Sequence, residues 1–151
     1  MPEFVAENRR RCADLDHVTV GVADARALEL PKNAALVFVK WLLMYMPDDV
    51  AARLIARFVD ALRPGGSLFI HESCDSAEHA PVGPTALWTG EFLGATYRAY
   101  YRPAAWYCAR LLERVNDPRA TMAEFDLETL YLPGEGGGQR AWLLTLPRGD
   151  R

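Results

Sequence analysis

Apolar and polar residues change their spacing along the chain, and each change marks an element. Residues 2–14 predict a helix, with Phe4, Val5 and Cys12 available to one side and Pro2 tolerated in its first turn. Between His17 and Val22 the valines 18, 20 and 22 alternate with Thr19 and Gly21, the period of a strand. Ala35 to Val39 is an unbroken apolar run, as expected of a strand covered on both faces. From Asp48 to Arg63 the spacing turns helical. Val50, Leu54, Phe58 and Leu62 form a stripe that Ile55 and Val59 widen, with Asp48 as the expected N-cap. Arg53, Arg57, Asp60 and Arg63 fall largely off the stripe, toward water. Pro64-Gly65-Gly66 ends this helix, and Ser67 to Ile70 reads as the next strand.

Beyond Cys74 the periodicity fades. Prolines and glycines punctuate residues 75–96, which predicts a long irregular segment. Ala104 to Val115 predicts a helix. Phe125 to Leu132 and Arg140 to Leu146 predict two antiparallel strands joined by the glycine-rich tip at 134–138. Strand, helix and strand in this order imply a parallel crossover. The expected fold is therefore α/β, with a parallel sheet closed by an antiparallel C-terminal hairpin.

Composition sets limits on function. The 151 residues suffice for one domain with a sizeable core, and half of them are apolar. A net charge of -3 argues against non-specific nucleic-acid binding. No apolar run is long enough to span a bilayer, and the polar N-terminus has no signal-peptide pattern. Cys12, Cys74 and Cys108 are odd in number and widely spaced, which suggests neither a disulfide framework nor a metal site and favours a reducing, cytoplasmic compartment.

Candidate chemistry gathers where strands end, because open α/β sheets bind ligands at the carboxyl ends of their strands. Asp24 can accept a hydrogen bond from a nucleotide amine there, or simply form a turn. Trp41 can pack on a flat cofactor and Tyr45 can bond a substrate amine, although both can equally fill the core. His71 and Glu72 end a strand and could act as acid or base, or be structural. Residues 97–107 concentrate tyrosine, arginine and tryptophan around Tyr101, Arg102, Trp106 and Tyr107. Guanidinium and phenol groups suit a phosphate, and an aromatic wall suits an amine. An amphipathic lid helix packed on the sheet accounts for the same cluster.

Three stretches together carry a family resemblance. They are Trp41-Leu42-Leu43-Met44-Tyr45-Met46 with the acidic residues after it, Leu62-Arg63-Pro64-Gly65-Gly66, and His71-Glu72-Ser73-Cys74. They resemble the second half of a class I S-adenosylmethionine-dependent methyltransferase, most of all the phosphoethanolamine N-methyltransferases of phosphocholine and phosphatidylcholine synthesis. The run Tyr101-Arg102-Pro103-Ala104-Ala105-Trp106-Tyr107 resembles a segment of that family as well.

The resemblance implies a partial Rossmann-like fold in which residues 1–151 form the C-terminal two-thirds of one methyltransferase domain. The family's first strand and glycine-rich loop would lie before Met1. It implies S-adenosylmethionine as methyl donor, bound by Asp24, Ala25, Lys40 and Trp41. Tyr45 would stand at the reacting amine, and Tyr101, Arg102 and Tyr107 would hold the substrate phosphate. It departs from the family at Lys40, His71 and Ala105, where other residues are usual. The expected outcome is weak donor binding or none by this chain alone, and self-association through an exposed sheet edge. A methyltransferase for protein N-termini or other amines, and a non-catalytic half-domain that binds a partner, are the other readings.

Overall fold

The structure, a computed structural model, describes residues 2–74, 86–92, 95–115, 117–127 and 138–149. Strand β1 (Ala34–Lys40) leads through a 3-10 turn (Leu43–Tyr45) into helix α2 (Asp48–Asp60) and strand β2 (Leu62–Cys74); helix α1 (Pro2–Arg11) precedes them. A hairpin of β3 (Ala86–Phe92) and β4 (Ala95–Tyr101) follows, then helix α3 (Ala104–Arg114) and strands β5 (Thr121–Asp126) and β6 (Gly138–Thr145). The main sheet has the order β1-β2-β6-β5, while β3 and β4 form a separate two-stranded sheet. β1 and β2 are parallel, and β6 runs antiparallel to both β2 and β5. The expected parallel unit closed by an antiparallel pair is what the chain forms.

Packing follows the alternation of the strands. Val39, Leu68, Ile70, Trp142 and Leu144 face the helices and join Leu54, Ile55, Phe58 and Leu111 in one core. The stripe read from α2 is the face it buries, since Ala51, Leu54, Ile55, Phe58 and Val59 are all buried. Side chains of opposite parity form a row across the other face, Phe38, Phe69 and Leu143, in register over β1, β2 and β6. Phe38 stacks on Phe69 at 5.1 Å yet stays 62% exposed, so the β1 edge of this face is open.

Several expectations are corrected. Residues 18–24 take no regular secondary structure, and Val22 is 71% exposed. Alternation makes a strand possible, but a strand also needs a hydrogen-bonded neighbour, and among the described residues the sheet ends at β1. Helix α2 stops at Asp60 instead of Arg63, and its N-cap is Pro47 without a side-chain cap. The Asp48 carboxylate is held by Arg102 instead. Within residues 75–96 the described part forms β3 and the start of β4, so the tyrosines from 97 to 101 sit on a strand. β5 lies at Thr121–Asp126, upstream of the expected span, whose residues 128–132 are outside the described residues, as are 134–137 of the hairpin tip. None of the described helices is long and apolar enough to cross a membrane.

The Arg63–Gly66 turn is a register irregularity inside β2. Ala34 pairs with Leu62 and Leu36 with Ser67, so the extra residues of β2 bulge outward. Gly65 takes a positive φ of 73°, and a Cβ on Gly66 would lie 2.8 Å from the Ala34 carbonyl and 2.9 Å from the Arg63 carbonyl. Both obstacles are backbone. Gly66→Ala is therefore expected to cost about 1–3 kcal/mol in urea unfolding, while Gly21→Ala, with open space around it, leaves stability nearly unchanged. Equal midpoints for the two variants would contradict this account of the turn.

Candidate functional site

The chain leaves β1 through Trp41, whose φ of 49° is a left-handed conformation that side chains rarely adopt. The reversal aims three successive amides at one acceptor. Leu42 and Leu43 donate to Glu72 Oε1 at 2.9 and 2.8 Å, and Met44 donates to Oε2 at 3.2 Å. These are the amides that the start of a helical turn leaves without intrahelical partners. Glu72 itself is fully buried on β2.

The carbonyls of the same turn meet a buried cation. Arg102, also fully buried, donates from Nη1 to the Leu43 carbonyl at 2.9 Å and from Nη2 to the Met46 carbonyl. Its Nε donates to Asp48 Oδ1 at 2.8 Å, and the guanidinium lies 4.7 Å from the centre of the Trp106 ring. Tyr107 is buried, stacks on Trp142 at 4.7 Å and places its hydroxyl 3.5 Å from Arg102 Nη1. Arg102 and Tyr107, expected at a substrate phosphate, are thus interior groups whose contacts are with the protein. A guanidinium committed to two carbonyls and a carboxylate positions the turn; it is not presented to solvent as an anion hook.

Tyr45 projects from this turn, 48% exposed. It meets Tyr97 of β4 edge to face at 6.1 Å. Burial pushes its phenol up, and Tyr97, Tyr101 and Glu72 add to that, so the hydroxyl keeps its proton at neutral pH. Burial, then Tyr97, raises Tyr101 in the same way. Asp24 and Ala25 come to the turn from the other side. With Arg26, Leu42, Tyr45, Met46 and Pro47 they line a cavity of about 380 Å³. That volume is within the range of roughly 300–1,000 Å³ common for small-molecule sites. The structure therefore brings together Asp24, Ala25 and Tyr45, three of the residues singled out from sequence.

Asp24 is exposed and holds Arg26, whose backbone amide, Nε and Nη2 donate to it at 2.9, 2.9 and 2.6 Å. These bonds lower its pKa to about 2. Arg57 of α2, expected to reach water, instead donates to the Arg26 carbonyl at 2.8 Å and to the Leu28 carbonyl, tying this wall of the cavity to the core helix. Lys40 places its ammonium 4.7 Å from the centre of the Trp41 ring. Trp41 Nε1 donates to Gln139 Oε1 at 3.0 Å. Neither Arg57 nor Gln139 was legible as part of a site. A second cavity, of about 500 Å³, lies by the start of β2 and the end of β6, near Pro64, Arg114 and Arg148, and contains none of the candidate residues.

Comparison with known proteins adds to this geometry. No family model matches the chain. Over 61 residues it is 43% identical to phosphoethanolamine N-methyltransferase 1 of Triticum aestivum, covering 38% of this chain and 12% of that protein. Over 72 residues it is 35% identical to phosphoethanolamine N-methyltransferase 1 of Caenorhabditis elegans, covering 47% of this chain and 15% of the relative. The match thus spans only a small part of these curated relatives. Among solved structures, a glycopeptide N-methyltransferase with S-adenosylhomocysteine superposes with a TM-score of 0.69 at 16% identity, over 97% of this chain and 71% of its own. The fold is that of a methyltransferase. Haemonchus contortus phosphoethanolamine N-methyltransferase 1, with phosphoethanolamine and S-adenosylhomocysteine, superposes with a TM-score of 0.66 at 20% identity, over 98% of this chain and 33% of its own. The [4+2]-cyclase SpnF also superposes, with a TM-score of 0.63 at 16% identity over 95% of this chain and 61% of its own. Fold by itself therefore leaves the reaction open.

Two outcomes follow from the buried pair. Arg102→Ala leaves two carbonyls and the Asp48 carboxylate without their donor. It is expected to lower stability by about 3–5 kcal/mol, the cost of breaking a buried charged network, measured by denaturant unfolding. A variant as stable as the parent would show that the guanidinium does not hold the turn. Burial raises the Glu72 carboxyl above its ordinary value of 4.5, outweighing the three amides and Arg102, which lower it. A carboxyl raised on folding binds its proton more tightly in the native state, so its stabilisation is full below the unfolded value. That contribution is lost as pH rises through the folded value. The stability of the parent relative to Glu72→Gln is therefore expected to fall as pH rises from 4.5 toward neutrality; a flat or rising difference would contradict it.

Proposed function

We propose that this chain provides the acceptor-side part of an S-adenosylmethionine-dependent N-methyltransferase whose substrate is a phosphobase such as phosphoethanolamine. The observation that carries the reading is the 43% identity to a phosphoethanolamine N-methyltransferase. The cavity between Asp24 and Tyr45, at the carboxyl end of β1, supports the reading.

Asp24 and Ala25, which line the cavity, and Lys40 and Trp41, at the end of β1, suit the donor in kind. The Asp24 carboxylate accepts from an exocyclic amine once the exposed Arg26 side chain yields, and the Trp41 ring, 41% exposed, offers a flat face. Lys40 and Ala25 flank these two. When bound, S-adenosylmethionine supplies an electrophilic methyl group. The acceptor amine must be held with its lone pair toward that methyl. Tyr45 suits this task because its protonated phenol accepts a hydrogen bond from an amine N–H and so orients the nitrogen. Tyr101 offers a hydroxyl to the phosphate end of the substrate. Arg102 and Tyr107 act through the turn they brace. The three cysteines are odd in number and widely spaced, which supports a reducing compartment, the cytoplasm in this proposal.

The test is methyl transfer from labelled S-adenosylmethionine, at saturating donor, to phosphoethanolamine, ethanolamine and a peptide amine. Transfer to phosphoethanolamine alone is expected. Tyr45→Phe is expected to lower kcat about tenfold, the equivalent of one hydrogen bond of ~1.4 kcal/mol. Equal rates with ethanolamine would remove the phosphobase claim, and no transfer to any amine would remove the activity.

A further inference from the structure

Gln139, on β6 opposite Ser73 of β2, joins three polar side chains. Its Oε1 is 3.0 Å from Trp41 Nε1 and 3.0 Å from His71 Nε2. Its Nε2 donates to Ser73 Oγ at 2.6 Å. An indole nitrogen can only donate. The amide atom facing Trp41 must therefore be the oxygen, which fixes the amide orientation on chemical grounds. An oxygen cannot donate, so the His71 nitrogen at the same atom must carry the proton.

We propose that Gln139 is a positioning residue of the site, fixing the Trp41 indole and, through the same oxygen, fixing His71 as the Nε2–H tautomer. Trp41 is the residue whose left-handed backbone opens the turn, and its neighbour Leu42 lines the cavity. Its backbone amide donates to the His71 carbonyl at 2.9 Å. Backbone and side chain of Trp41 are thus both anchored at His71, the second time by way of Gln139. The tautomer leaves Nδ1 as the basic nitrogen of His71. Burial of the ring and the nearby Lys40 ammonium both favour the neutral imidazole, so at neutral pH the tautomer is the variable that Gln139 controls. The proposal rests on the methyltransferase reading only in assigning Trp41 to the site; the arrangement of the amide is independent of it.

Long-range proton–nitrogen NMR of the full chain at pH 7.5, with the His71 signals assigned through His71→Asn, reads the tautomer directly. A single Nε2–H form is expected. Trp41→Phe removes the donor that orients the amide, so a mixture of both tautomers is expected. The ring is partly exposed and the change leaves the core intact. Gln139→Leu is expected to give the same mixture and to move the Trp41 indole resonance toward that of a solvated indole. Gln139→Glu keeps an acceptor for both donors and is expected to restore the single tautomer and the indole shift. A parent chain with the Nδ1–H form, or Trp41→Phe with an unchanged tautomer, would overturn the proposal. So would Gln139→Glu failing to restore what Gln139→Leu loses. None of these readings depends on methyl transfer, so a chain inactive on every amine could still confirm the clamp.

Discussion

A chain leaving a parallel strand must turn back over the sheet, and the turn leaves amides and carbonyls with no partner inside the backbone. Here the Glu72 carboxylate accepts the amides of Leu42, Leu43 and Met44, and the Arg102 guanidinium donates to the carbonyls of Leu43 and Met46. Opposite charges stand on the two sides of one 3-10 turn. Each is fully buried, an arrangement that is tolerable only because its hydrogen bonds are made. The placement of Tyr45, the entry to α2 and the contact of β4 with the turn all depend on this pair. Asp48 joins it through Arg102, and so couples the first residue of α2 to the strand end before α3.

This division separates holders from presenters. The charged groups with the greatest burial, Glu72 and Arg102, face the backbone. The groups that face the cavity are milder: a phenol with its proton retained and an exposed carboxylate already shared with Arg26. Such a site is suited to orienting bound groups more than to strong acid or base catalysis, which agrees with the proposed transfer from a donor that is itself reactive. Gln139 extends the same principle along β2, where one amide sets the orientation of two rings.

Much of the fold was legible in the sequence because its periods differ sharply. The apolar run of β1 and the four-residue stripe of α2 allow few other readings, and the parallel pair follows, whereas the Pro-Gly-Gly segment, which reads as a helix stop, lies inside β2. The valines between residues 18 and 22 show the limit of that logic, since alternation describes a strand's faces and says nothing about a neighbour to pair with. The β3–β4 hairpin was hidden by the prolines and glycines around it. At the site, Tyr45 and Asp24 could be found because they end apolar runs. Arg102 could be noticed but not interpreted: an arginine among tyrosines reads the same whether it faces a phosphate or two carbonyls. Glu72 carried a better signal, as an acidic residue closing an otherwise apolar strand, and Gln139, next to a glycine-rich tip, carried almost none.

The central claim is that Glu72 holds the Leu42–Met44 amides as one unit. Native-state hydrogen exchange measures those three amides individually. Strong protection of all three is expected in the parent chain, together with its collective loss in Glu72→Ala while the β2–β6 amides remain protected. Rapid exchange of Leu42, Leu43 and Met44 in the parent, or unchanged protection in Glu72→Ala, would contradict the account.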